Sequence, residues 1–213
     1  MATIQKCIID TNVIVYWLMT NKVMEFMTQE FHLAQEFGDV YRNRYIESCE
    51  FVDKALELPS NNQQFLVTEL SLTEAFSGIR EEVRSIIMFT QGIPISRWAY
   101  KRETKEVSFP QELSRKLYEL TSKGFDALFE RKIEIMPVTT PSDTADYFDF
   151  YSSLVFLYPM LRTQDAILIT TAIFQKATHF VTMDKDLIVL GKELKKVHPL
   201  EVLKPREALK LFK

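Results

Sequence analysis

Three short runs in this chain are apolar without alternation: Cys7-Ile8-Ile9, Phe65-Leu66-Val67 and His179-Phe180-Val181-Thr182-Met183. A strand with one face in water alternates apolar and polar residues; a strand covered on both faces does not. The first two runs are each followed by a helical pattern, at residues 11–19 and about 71–90. Two further strands are expected at 133–138 (IEIMPV) and 200–203, with helices at about 110–131, 142–158, 163–176 and 205–212. Strands alternating with helices imply parallel pairing through crossovers, so the expected class is α/β with a mostly parallel five-stranded central sheet.

No Pro/Ser-rich linker divides the 213 residues, so a single domain spanning 1–213 is expected. The 16 Phe and 8 Tyr exclude a disordered chain. Two cysteines, Cys7 and Cys49, make neither a disulfide framework nor a metal motif, and a reducing cytoplasmic setting is the simplest expectation. No apolar run approaches the roughly 18 residues of a membrane span, so no membrane partner is expected. The net charge of −3 argues against coating nucleic acid by bulk charge. It leaves room for a local site that handles phosphates through cations.

Four carboxylates fall in one kind of place. Asp10 ends the first strand, Asp184 follows the fourth, and Glu74 and Asp165 are expected in first turns of helices. In a parallel sheet those positions share the carboxyl edge, where ligands bind. Acids brought together there repel unless protons or cations intervene, and a hard divalent ion suits oxygen ligands. Each acid also has a local explanation. Asp10 can cap the helix from Thr11. Ser71-Leu72-Thr73-Glu74 reads as a capping box. Asp165 suits a helix dipole, and Asp184-Lys185-Asp186 can be a solvated turn.

The order and placement of these acids resemble the PIN-domain nuclease family, in particular its toxin-type ribonucleases with long insertions added. The resemblance is carried by Ile8-Ile9-Asp10-Thr11-Asn12-Val13, by Val67 to Glu74, by Arg162-Thr163-Gln164-Asp165-Ala166-Ile167-Leu168, and by Phe180-Val181-Thr182-Met183-Asp184-Lys185-Asp186. The tail Val202-Leu203-Lys204-Pro205-Arg206-Glu207 is similar as well. It covers roughly 4–19, 64–90 and 133–213, leaving helical insertions at about 20–60 and 93–131.

The resemblance implies a PIN-like three-layer sandwich and a metal-dependent endoribonuclease using Mg²⁺ or Mn²⁺. Water, activated by metal, would hydrolyse RNA to 5′-phosphate and 3′-hydroxyl products. Asp10, Glu74, Asp165 and Asp184 map to the catalytic and metal-binding quartet; Asn12, Thr182 and Asp186 map to supporting positions. It further implies single-stranded RNA as substrate, an antitoxin protein as partner and a homodimer. Arg97-Trp98-Ala99-Tyr100-Lys101-Arg102 interleaves cations and rings, which makes Arg97, Trp98, Lys101 and Arg102 nucleic-acid-binding candidates; the alternative is a surface loop with Trp98 and Tyr100 packed inward. Arg131-Lys132 and Lys192, Lys195 and Lys196 are further basic candidates.

Two other readings remain. A catalytically silent PIN-like scaffold would bind RNA or protein without cleaving. A haloacid-dehalogenase-type phosphatase also places an Asp after its first strand, but wants a second Asp where Asn12 stands. Serine-hydrolase and phosphate-loop chemistry lack their motifs, and five glycines leave little room for either.

Overall fold

A computed structural model describes residues 5–58, 63–98, 109–130, 133–138 and 144–211. The start of the helix expected from 142, Tyr100 and the candidates Lys101, Arg102, Arg131 and Lys132 lie outside the described residues.

Five parallel strands form one sheet: β1 (Gln5–Ile9), β2 (Gln63–Thr68), β3 (Ile133–Met136), β4 (His179–Val181) and β5 (Glu201–Leu203). Their spatial order is β3-β2-β1-β4-β5. Ile8 pairs with Leu66 on one side and Phe180 on the other. The sheet is wound outward in both directions from β1, so the strand order reverses between β1 and β4. A crevice opens at such a reversal, outside the carboxyl ends of the strands. Asp10 and Asp184 follow the two strands that flank it.

The unalternating runs have the expected consequence. Cys7, Ile9, Phe65, Val67 and Ile133 point into one apolar core. Ile8, Leu66, Phe180 and Val202 point into another on the opposite face. The first core is closed by α1 (Thr11–Leu18), α4 (Ile46–Glu57), α5 (Glu69–Thr90) and α6 (Gln111–Phe129). The second is closed by α7 (Thr144–Leu157), α8 (Thr163–Phe174) and α9 (Lys185–Leu194). The result is a three-layer α/β arrangement. A π-helical stretch, Met19–Val23, carries the chain from α1 into α2 (Met24–Glu30), and α3 (Gln35–Arg44) follows. Helix α10 (Pro205–Leu211) starts at Pro205, as its missing N–H favours. Among the described residues no helix is long and apolar enough to cross a membrane.

One expectation needs correction. Helix α5 begins at Glu69, with Thr68 as its cap: Thr68 Oγ1 accepts from Ser71 N at 3.0 Å. Ser71 and Glu74 therefore form no capping box, and Glu74 stands in the second turn. The threonine ending β2 already takes the orphan N–H, so the later serine has none left to cap.

The spacing between α1 and α5 depends on Gly78. A Cβ there would stand 2.8 Å from Cγ2 of Val15, a stiff branched side chain that cannot yield cheaply. Gly38 in α3 has no such neighbour; its nearest atom, Thr28 Oγ1, is at an ordinary 3.7 Å. Helix propensity alone favours alanine at both positions by about 1 kcal/mol. We predict opposite signs in chemical denaturation. Gly38→Ala stabilises by about 0.5–1 kcal/mol. Gly78→Ala destabilises by about 1–2 kcal/mol, because overpacking exceeds the propensity gain.

Candidate acidic site

The site is built on Asp10, which is 4% exposed and caps α1. Its Oδ1 accepts from Thr11 N at 2.7 Å. Its Oδ2 accepts from Asn12 Nδ2 at 2.7 Å and from Thr182 Oγ1 at 2.5 Å. A carboxylate has about four lone-pair sites, and three donors leave one open. Burial, with Asp165 and Glu74 nearby, pushes the Asp10 carboxyl up to about 7, against the lowering effect of Thr182 and Thr11.

Asn12 and Thr182 join β1 to β4. Asn12 Oδ1 accepts from Met183 N at 3.0 Å while its amide reaches Asp10 and Thr182. Thr182 Oγ1 donates its one proton to Asp10 and accepts from Asp184 N at 2.9 Å. The hydroxyl is fully engaged and fully buried.

Asp184 caps α9, its Oδ1 accepting from Asp186 N at 2.8 Å and Leu187 N at 3.4 Å. Glu74 Oε2 accepts from Thr11 Oγ1 at 2.8 Å. Asp165 stands in the first turn of α8, half-buried; burial first, then Asp184, raise its carboxyl above the usual range, and Glu74 adds to this while Arg162 opposes it.

All four acids line one cavity of about 740 Å³, together with Thr11 and Asn12. They ring it rather than converge. Among the described residues no three His, Cys, Asp or Glu side chains form a ready cage for an ion. The donor set is nonetheless hard oxygen, with an open lone pair on Asp10 and neighbouring carboxylates that add to the raised pKa of Asp10 and Asp165. It suits an ion that keeps much of its water, as Mg²⁺ does, better than an all-protein cage.

Other candidates stand elsewhere. Asp186 is exposed and does not line the cavity. Neither Arg97 nor Trp98 lines it; Trp98 is half-buried and its Nε1 donates to Ile93 O at 2.8 Å. Lys195 and Lys196 pair with Glu201 and Glu193.

Among the lining residues outside the expected set, three bear on the chemistry. Thr11 orients Glu74. Arg162 is the one cation lining the cavity among the described residues. Tyr16 lies one helical turn past Asn12, and that four-residue spacing is the signal for a shared face.

No protein-family model matches the chain, and no curated protein matches it. Among solved structures, VapBC2 from Rickettsia felis, bound to a DNA fragment from their promoter, aligns over 94% of this chain and 98% of that chain, with 14% identity and a TM-score of 0.46.

The raised Asp10 carboxyl has a defined sign in folding. A group protonated longer in the folded state contributes stability below its unfolded pKa, and loses it as pH rises through the folded value. For the metal-free protein we predict that this contribution falls between about pH 4 and 7. Melting temperatures in EDTA, wild type against Asp10→Asn, check it. Wild type should lose stability relative to the variant as pH rises, and parallel curves would refute the assignment.

Proposed function

We propose that this protein is a divalent-metal-dependent endoribonuclease of the PIN type, hydrolysing single-stranded RNA. The observation that carries the reading is the ring of Asp10, Glu74, Asp165 and Asp184 around one cavity at the point where strand order reverses. Asp10, Asp165 and Asp184 would hold Mg²⁺ or Mn²⁺, partly through water. When bound, such an ion lowers the pKa of a water and stabilises the leaving oxygen.

The chain's own groups divide the remaining work. Asn12 and Thr182 keep Asp10 aimed by donating to one oxygen, which leaves the other facing fewer partners. Glu74, steadied by Thr11, orients the attacking water. Arg162 meets a phosphate oxygen at the rim of an otherwise acidic cavity, where only a cation can draw the substrate in. No side-chain nucleophile is required, and among the described residues no cysteine or histidine lines the cavity. On this reading the chain is a single PIN-like domain, the helices within 20–60 and 93–131 are additions to it, and an antitoxin and a second copy of the chain are its expected protein partners.

The test is cleavage of an unstructured RNA in Mn²⁺, beside a phosphate monoester as control. RNA is expected to be cut and the monoester spared, with Asp10→Asn inactive. Equal activity of wild type and Asp10→Asn would sink the reading. Binding of RNA without cleavage would favour the silent scaffold instead. Thr182→Ala is predicted to weaken Mn²⁺ binding about 10–100-fold in calorimetric titration, because it releases the carboxylate from its orienting donor.

A further inference from the structure

The cavity is larger than a hydrated ion requires. At about 740 Å³ it falls in the range of small-molecule sites, about 300–1,000 Å³. Beyond the four acids it continues between α1 and α5, past Val15, Tyr16, Ser77, Gly78, Glu81 and Glu82. This extension is unsuited to a second phosphate. Glu81 is paired with Arg84 at 2.6 Å and Arg80 at 3.7 Å, while the Glu82 carboxylate takes the Tyr41 hydroxyl at 3.1 Å. Neither arginine lines the cavity. An uncharged flat group meets no such penalty.

Tyr16 is prepared for one. Its ring stacks on Tyr45 with centroids 3.8 Å apart and planes 14° apart. Tyr45 is buried and backed by Tyr41 at 4.9 Å and by the Arg44 guanidinium at 5.2 Å. A ring held from behind loses little freedom when a second ring settles on it. Tyr16 is four residues past Asn12, so a rise of about 6 Å along α1 separates it from the Asp10 network. That is within reach of a nucleoside whose phosphate lies among the acids.

We infer that Tyr16 is the stacking platform for the base of the nucleotide adjoining the scissile phosphate. The inference rests on the nuclease reading above. It makes the site selective for unpaired RNA, because a base held in a duplex presents no free face to the ring. Stacking tolerates any base, so the preference is for strand state rather than sequence.

The experiment uses an unstructured, fluorescein-labelled oligoribonucleotide whose cleavage position is first mapped with wild type in Mn²⁺. An abasic residue is then placed at each position in turn. In wild type, one abasic position beside the cut should raise KM about tenfold with little change in kcat. In Tyr16→Leu, the intact RNA should bind about tenfold more weakly and the abasic penalty should vanish. Tyr16→Phe should keep both the binding and the penalty. A role confined to packing against Tyr45 would lower the melting temperature and leave the abasic penalty in place, which overturns the inference. So does a wild-type scan with no penalty beside the cut, a result that needs no variant to fold and leaves the nuclease reading standing. Wild type that does not cleave RNA overturns both.

Discussion

A carboxylate with 4% exposure holds this site together. Taking an anion such as Asp10 out of water costs on the order of several kcal/mol, and the surrounding structure is arranged to offset that. Three donors reach it from a helix start, a side-chain amide and a strand-end hydroxyl. The same side-chain amide and hydroxyl fasten β1 to β4, Asn12 through Met183 N and Thr182 through Asp10 itself. The offset is partial, because burial still pushes the carboxyl up to about 7. What remains is an anion with an open lone pair facing other anions, a form of strain that a bound cation relieves.

The cavity has two ends because two helices approach each other closely. Gly78 lets α5 lie against Val15 of α1. Helix α1 carries Asp10's partners at its start and Tyr16 one turn later; α5 carries Glu74 early and Glu82 two turns on. One end thus gathers the four carboxylates with Arg162 at its rim, and the other passes the ring of Tyr16, which is backed by buried Tyr45 and half-buried Tyr41. The helices within 20–60 supply that backing: Tyr41 comes from α3, and Tyr45 lies between α3 and α4. Helix α3 and the turn into α4 thereby back a ring that lines the cavity.

Much of the fold was legible because its causes are local. Runs such as Phe65-Leu66-Val67 had to be buried on both faces, and each does divide its residues between the two cores. Pro205 had to start a helix. The start of α5 was misread because Thr68 and Ser71 are both competent caps, and only the end of β2 decides between them. The acids were legible by position, Asp10 and Asp184 after strands and Glu74 and Asp165 near helix starts. Trp98 packs inward, as one of its two sequence readings expected, while the reach of its indole to Ile93 O depends on how the chain turns after α5.

The residues alone determined the class of architecture and the edge on which the acids fall. Both follow from hydrophobic periodicity and from the rule that parallel strands share one carboxyl end. The tertiary structure decided how the acids stand toward one another, that Asp10 is the buried member, and that Tyr16 and Arg162 share its cavity. Those outcomes depend on contacts between residues far apart in the chain, such as Asp10 with Thr182 and Tyr16 with Tyr45. They are set by packing distance between elements, which no local pattern encodes.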